Sequence, residues 1–555
     1  MNIYFSGIGG VGIGPLAEIA QDAGYQVQGS DMNESPLTKK LQERGVAISI
    51  GQDGSFLQTC HDTQPIDWFV HTSALPENHP ELILARQLGI KTAKRDELIA
   101  HIVSEKNLKL IAVAGTHGKT TVTGMLVWSF QQLGIPVSYS VGTTLSFGAS
   151  GKFDPKSEYF IYECDEFDRN FLHFSPYLSL ITSLDYDHPD TYPTKSDYIS
   201  AFRQFIAGSR TTIMWHSDNA DVQATAENGW ILGDNEVLDI HLAGAHNRRN
   251  TTLVAKALEN LSLSSTENAK LVLEAFPGTH RRFEKLATNL YSDYGHHPVE
   301  IAATLQLARE LSDHVVLVYQ PHQNVRQHEI RADYTNCFEQ AESIYWLPTY
   351  LSREDPNLPI LSPEELSEHV TNKSDVHVTM LGDNLWNTIQ KARDEGKLVL
   401  VMGAGTIDAW TRQQLQTLTI VNILVSDKTG KLIMQKRDDK PGISNPGMIT
   451  GFGGHVDPED ISLRAAAARE LHEETNVSFS SEKLRYFHTY HKTPEIHGED
   501  SYVTYYTLDS MDTADLEIYE GQGFALLDPQ SDLSAVNLSP LVRQAIADYR
   551  KHHGD

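Results

Sequence analysis

A chain of 555 residues is longer than one hydrophobic core supports, and 40% apolar with 21% charged residues is an ordinary globular balance. Its 45 basic residues against 73 acidic ones leave a formal charge of −28, which repels nucleic acid and offers no general phosphate-binding surface. Phosphorylated ligands must then be held locally, by glycine loops, metal ions and a few placed cations. The opening Met1-Asn2-Ile3-Tyr4-Phe5-Ser6-Gly7 has no basic n-region, and no later run is long and apolar enough to span a bilayer. Cys60, Cys164 and Cys337 are too widely spaced for a disulfide framework or a thiolate metal site. A soluble, cytoplasmic protein with no membrane or nucleic-acid partner is expected.

In chain order, short apolar runs rich in β-branched and aromatic residues fall at 3–5, 110–113, 160–162, 178–181, 315–319 and 398–402. They read as buried parallel strands. Helical stretches at 14–23, 120–132 and 298–311 lie between them, giving the alternating rhythm of α/β sheets. The rhythm restarts near 106 and near 275 and changes character after about 415, so four domains are expected: 1–105, 106–274, 275–415 and 416–555. The last reads as an α+β module, with strands at 420–425, 432–436, 484–490 and 501–508 around one helix. The polar, Gln-rich join at 410–419 reads as a linker or a frayed helix.

Two glycine loops follow strands. Gly7-Ile8-Gly9-Gly10-Val11-Gly12 opens a helix, and Asp31 ends the second strand, the context in which backbone amides approach a diphosphate and an acid reaches a ribose or base. From this loop alone a nicotinamide dehydrogenase stays open. Gly115-Thr116-His117-Gly118-Lys119-Thr120-Thr121 follows a buried strand; its amides can cradle phosphates, Lys119 can reach the β and γ oxygens, and Thr120 can hold Mg²⁺. Val113 stands where a strict P-loop has its first glycine. Two acidic strand ends, Glu163-Cys164-Asp165-Glu166 and Asp185-Tyr186-Asp187-His188, would supply oxygen ligands and one imidazole to a nucleotide-bound cation.

Those motifs, together with His246-Asn247, Ser292-Asp293-Tyr294-Gly295-His296-His297-Pro298, Gln320-Pro321-His322 and Gly403-Ala404-Gly405, resemble in content and order the Mur ligases of peptidoglycan synthesis over roughly residues 1–410. The resemblance implies a Rossmann-like UDP-binding domain, a central P-loop ATPase domain and a Rossmann-like C-terminal domain. It further implies ATP-dependent joining of L-alanine to UDP-N-acetylmuramate through an acyl phosphate, with Mg²⁺ or Mn²⁺. Gly7, Gly9, Gly10, Gly12, Asp31 and Ser73 would hold the UDP-sugar. Gly115 to Thr121 would hold the ATP phosphates, with Lys119 on the γ-phosphate and Thr120, Glu163 and His188 on the metal. His246 and Asn247 would meet adenine, Arg282 the phosphates and Asp293 the ribose, and Tyr294, His296, His322 and Arg326 would form the amino-acid pocket. Gln323 stands where the family usually has Arg, and Ala243-Gly244-Ala245 before His246 is unusual. A related ligase that recycles murein tripeptide shares most of these motifs and is the alternative.

Gly453-Gly454-His455 and Arg469-Glu470-Leu471-His472-Glu473-Glu474 resemble the Nudix box of diphosphate hydrolases. Glu470, Glu473 and Glu474 lie at i, i+3 and i+4 of one helix, so their carboxylates share a face that can bind Mg²⁺ on a diphosphate, with Arg469 orienting them. Asp460 stands for the usual Glu, one residue further from Arg469, and Asn476 replaces the usual glycine. A noncatalytic nucleotide sensor is the other reading of this module.

Overall fold

The computed structural model describes residues 1–72, 75–188, 191–222, 229–352, 354–440, 444–457, 460, 462–493, 500–514 and 516–553. The chain forms two compact units, Met1–Glu284 and Lys285–Asp555. Each contains two sheets.

In the first unit, β1 (Asn2–Ser6), β2 (Gln26–Asp31), β3 (Ala47–Ile50), β4 (Trp68–His71) and β5 (Lys91–Lys94) pair in parallel in the order β3-β2-β1-β4-β5. The second sheet holds β6 (Lys109–Ala114), β7 (Ser138–Ser140), β8 (Gly151–Lys152), β9 (Tyr159–Glu163), β10 (Leu178–Ile181), β11 (Thr212–Trp215) and β12 (Gly229–Leu232) in the order β12-β11-β10-β6-β9-β7-β8. Among the described residues of this sheet, only the β7–β8 pair runs antiparallel. β6 thus lies between β10 and β9, and the loops leaving these three strands emerge side by side. The two sheets share apolar packing: Phe5, Leu16 and Ile99 join one buried cluster with Phe160, Tyr162 and Phe202.

The second unit carries β13 (Glu284–Ala287), β14 (Leu290–Asp293), β15 (Val315–Tyr319), β16 (Ser343–Trp346), β17 (Val376–Val378) and β18 (Leu398–Met402) in the order β13-β14-β18-β15-β16-β17. Strands β14, β18 and β15 are parallel neighbours, and every residue of β15 and β18 is buried. The last sheet is mixed: β19 (Leu418–Asp427), β20 (Leu432–Lys436), β21 (Ile449–Thr450), β22 (Arg485–Lys492) and β23 (Ser501–Met511) run β21-β20-β19-β23-β22, and β24 (Phe524–Leu527) pairs with β20. β19 and β23 are parallel and the other pairs antiparallel.

The join at 410–419, read as a linker or a frayed helix, lies mostly in the ordered helix Ile407–Gln416, which runs almost directly into β19. Its Gln-rich composition hides an apolar stripe. Ile407, Trp410 and Leu415 pack with Leu385 and Trp386, and the Trp410 ring meets the Trp386 ring edge-on at 6.0 Å. Burial of that stripe outweighs the modest helix propensity of its Thr and Asp residues. No described helix is long and apolar enough to cross a membrane.

Candidate functional site

After β6 the chain turns through Gly115 into the helix Lys119–Gln132. Gly115 has φ +129°, and a Cβ there would run into the Thr182 hydroxyl and come within 2.8 Å of the Ser183 carbonyl, so only glycine allows the loop this close to the exit of β10. The loop is then pinned: the Thr116 amide donates to Ser183 O at 3.0 Å, the His117 amide to Ser183 Oγ at 2.9 Å, and the Thr116 hydroxyl to Asp185 O at 2.6 Å. Gly118 lies against Asn250, so the helix Ala245–Asn260, which starts with His246 and Asn247, abuts the phosphate loop. Asn247 Nδ2 donates to Ala243 O at 3.0 Å. Thr121 is half-buried in the first turn of the helix that Lys119 opens.

Lys119 Nζ stands 2.9 Å from both carboxylate oxygens of Glu166 and 2.6 Å from Gly115 O, with side-chain exposures of 14% for Lys119 and 1% for Glu166. Burial pulls the Lys119 ammonium down, but Glu166, Asp165 and Glu163 outweigh it and keep the group charged. Burial pushes the Glu166 carboxyl up, against the pull of Lys119. The Thr120 hydroxyl donates to Glu163 Oε1 at 2.8 Å, and the Gly142 amide to Glu163 Oε2 at 2.9 Å. His188, held at φ +58°, has Nε2 3.7 Å from Glu166 Oε1.

Asp165, Glu166 and His188 each offer one ligand atom, and the three atoms lie within 4.8 Å of one another. Two carboxylates and an imidazole suit a divalent cation such as Mn²⁺, and Mg²⁺ through the carboxylates. Of the expected metal set, then, Thr120 and Glu163 touch each other while His188 belongs with Asp165 and Glu166. The last two belong to the acidic run that the sequence marks as a source of oxygen ligands, although the family resemblance assigned only Glu163 of that run to the metal. They sit in the same acidic run, where the chain leaves β9 and enters the 3₁₀ turn Phe167–His173, with Asp168 and Arg169 at φ +54° and +58°. Left-handed backbone at non-glycine residues is costly and clusters at functional sites. Arg282 lies between two more such residues, Arg281 at +55° and Phe283 at +47°, and its amide donates to Thr279 O at 3.2 Å.

In the first sheet the glycine loop leaves β1 beside β2. The amides of Gly7 and Ile8 donate to Ser30 O at 2.8 and 3.0 Å, and the Gly9 amide to Asp31 Oδ2 at 2.8 Å. The carboxylate of Asp31 thus shapes the loop itself. Gly10 and Gly12 are exposed at its rim. Ser73 lies outside the described residues.

In the second unit, Asp293 ends β14 and is nearly buried, its Oδ1 accepting the Gly295 amide at 2.7 Å. Tyr294, His296, His322 and Arg326 come together: the His296 ring centre is 5.6 Å from that of Tyr294 and 5.7 Å from that of His322, and the Arg326 guanidinium hydrogen-bonds His296 Nε2. Burial drops the His296 pKa to about 4, with Glu300 opposing and Arg326 adding to the shift. A neutral ring accepts from Arg326 at Nε2 and donates from Nδ1 to Tyr294 O at 3.2 Å, which fixes the tautomer. Tyr350 stacks on His322, with centres 5.8 Å apart and planes 10° apart, and its backbone bridges to His322. No local motif flagged Tyr350, because it lies on the loop after the neighbouring strand β16.

The Nudix-like helix Leu463–Glu474 begins at a Ser462 cap. Arg469 links the carboxylates: it donates to Asp460 Oδ2 at 2.8 Å, Glu470 Oε1 at 2.9 Å, Glu473 Oε2 at 3.1 Å and His455 O at 3.0 Å. Asp460, the residue standing for the usual Glu, is therefore the one that grips this arginine. Glu474 points inward at 3% exposure and accepts from Gln435 Nε2 at 3.1 Å and from the Gly453 amide at 2.9 Å. Burial raises its carboxyl to about 7 and also raises that of Glu470. Glu473 faces solvent.

Four segments of the chain match known protein families. Residues 2–107 match the Mur ligase family, catalytic domain; 113–231 the Mur ligase middle domain; 281–405 the Mur ligase, glutamate ligase domain; and 417–529 the NUDIX domain. A UDP-N-acetylmuramate–L-alanine ligase of Carboxydothermus hydrogenoformans is 32% identical over 450 residues, covering 73% of this chain and 94% of its own. Two solved structures share the fold at 22% identity, each covering 75% of this chain and 98% of its own: a UDP-N-acetylmuramate-alanine ligase of Thermotoga maritima at a TM-score of 0.58, and a murein peptide ligase of Psychrobacter arcticus at 0.50. The chain therefore belongs to the Mur ligase family, with the three domains of that family followed by a Nudix domain.

Proposed function

We propose that the ligase part joins L-alanine to UDP-N-acetylmuramate, with cleavage of ATP to ADP and phosphate. The observation that carries the reading is the convergence of Lys119, Thr120, Glu163, Glu166 and His188 where three adjacent strands end. The lactyl carboxylate attacks the γ-phosphorus of ATP, an O–P bond forms as the bond to ADP breaks, and the resulting acyl phosphate is attacked by the alanine amine. Phosphate then leaves and one proton is released. Charge builds on the transferring oxygens, and Lys119 meets it by exchanging Glu166 for phosphoryl oxygen. A divalent cation held by Asp165, Glu166 and His188, beside the Thr120–Glu163 pair, would offset the remaining phosphate charge. In the amino-acid pocket, Arg326 suits the alanine carboxylate and neutral His296 keeps a second positive charge away from the incoming amine.

The test is release of ADP and phosphate that requires both UDP-N-acetylmuramate and L-alanine, with the conjugate identified by mass spectrometry. Stimulation by a murein tripeptide and not by alanine would assign the chain to peptide recycling instead.

For the Nudix domain we propose hydrolysis of a nucleoside diphosphate derivative, supported by Arg469 bringing Asp460, Glu470 and Glu473 together. Glu473→Gln should abolish release of monophosphate products from such substrates. A wild-type chain that binds nucleotides without cleaving them would make this domain a sensor.

A further inference from the structure

Arg95 opens the helix Arg95–Glu105 immediately after β5, and no motif of the sequence singles it out. Its Nη1 lies 3.9 Å from the point where a Cβ on Gly12 would sit, so the guanidinium borders the rim of the glycine loop. Its other edge reaches the second sheet. Nη2 is 3.6 Å from Asp96 Oδ1, the guanidinium carbon is 5.8 Å from the centre of the Tyr162 ring, and the Tyr162 hydroxyl donates to Asp96. Tyr162 is on β9, one residue before Glu163. One cation therefore borders both the loop that follows β1 and the strand that ends in the ATP-site acids.

The charge of a ligand on that loop calls for such a group. A diphosphate carries about two negative charges, while the helix Gly14–Asp22 behind the loop contains no Lys or Arg, and its N-terminus offers only about half a unit of positive charge. The neighbouring Lys94 is already paired with Asp168. A guanidinium has five donors in a plane, so it can keep Asp96 on one edge and receive a phosphate oxygen on the other. We propose that Arg95 is a substrate-binding residue that takes a phosphate oxygen of the UDP-sugar and ties the occupied glycine loop to the acidic end of β9. The assignment rests on the reading of that loop as a UDP-sugar site.

Titration calorimetry on the full chain, with UDP, uridine and magnesium-ATP as separate ligands, tests it with Arg95→Gln and Arg95→Lys. Arg95→Gln should weaken UDP binding about tenfold or more, the cost of a lost charge-assisted hydrogen bond, and Arg95→Lys should recover part of it. Uridine and ATP affinities should stay within about twofold, because neither requires the loop diphosphate. Undiminished UDP affinity in Arg95→Gln overturns the proposal. So does a parallel loss of all three ligands with a lower unfolding midpoint, which would make Arg95 a rivet between the sheets. A wild-type chain that binds UDP but adds no alanine removes the ligase reading and leaves this one standing; a wild-type chain that binds no UDP removes both.

Discussion

Replacing Glu166 by Gln keeps the side-chain shape and removes the charge that faces Lys119. The ammonium is 14% exposed and would lose a two-oxygen partner at 2.9 Å while keeping the Gly115 carbonyl at 2.6 Å. Stripping one side of a buried pair costs about 3–5 kcal/mol, and the remaining carbonyl together with relief of the buried carboxylate puts this case near the lower end, at about 3 kcal/mol. For a unit of this size that corresponds to a fall in unfolding midpoint on the order of 5–10 °C. The assay is thermal unfolding of the metal-free chain, with Lys119→Met and the double variant completing a cycle. Because the double variant buries no lone charge, it should be more stable than the two single losses predict, by at least about 1 kcal/mol. Additivity of the two substitutions, or a Glu166→Gln midpoint within about 1 °C of wild type, would refute the claim that this pair is a buried, mutually dependent ion pair. The same variant lacks one of three clustered cation donors, so the magnesium concentration for half-maximal ligation should rise.

His296 predicts an acid-labile second unit. Its pKa falls from 6.5 to about 4 on burial, so the stability it contributes is complete above 6.5 and is lost as pH drops toward 4, by up to about 3 kcal/mol; His296→Gln should flatten that part of the pH–stability curve measured by denaturant unfolding. Lys119→Met should leave UDP binding intact and abolish ATP-dependent ligation, and residual ligation above about one per cent would exclude Lys119 from the phosphoryl step. Arg464, in the first turn of the Nudix helix, grips Asp394, the last residue of the helix Asp383–Asp394, and the Tyr506 hydroxyl donates to the same carboxylate at 2.9 Å. Asp394→Asn should speed hydrogen exchange along Leu463–Glu474 by about tenfold; exchange unchanged beyond residue 396 would show that the tie does not stabilise the Nudix helix.

The parts of this protein that were legible in its sequence are those whose chemistry is local. A glycine loop between a strand and a helix is recognisable within a dozen residues, and the α/β architecture with an α+β module at the end follows from periodicity in the same way; three glutamates at helical spacing are as easily spotted, but the shared face expected of them is split, with Glu474 turned inward and Glu473 toward solvent. The cluster of Tyr294, His296, His322 and Arg326, proposed as the amino-acid pocket, was reachable only through resemblance to a family, since its members leave two different strand ends. Arg95 and Tyr350 escaped both routes, and Glu166 was visible only as one member of an acidic run, not as the partner of Lys119. Glu166 lies three residues past the end of β9 and just ahead of the 3₁₀ turn Phe167–His173, where strand alternation no longer says which way a side chain points, yet its carboxylate meets Lys119. Whether a carboxylate meets a lysine here depends on β9 lying next to β6, which one sequence does not reveal.

The same limit explains the join at 407–419 and what it does. Its glutamines suggested slack, yet Trp410 and Leu415 seat it on Trp386, and Trp386 in turn packs near Tyr502 of β23. On the other side of that helix, Asn387 Oδ1 accepts from the Tyr486 hydroxyl at 3.0 Å and from the Thr489 amide at 2.8 Å. A single ligase helix, Asp383–Asp394, is thus held along its length by β22, β23 and the Nudix helix. With apolar packing and buried hydrogen bonds on both sides of the junction, separating the two modules would expose Trp386 and leave Asp394 without its cation. The Nudix domain is therefore built as a continuation of the third ligase domain, and not as a module on a tether.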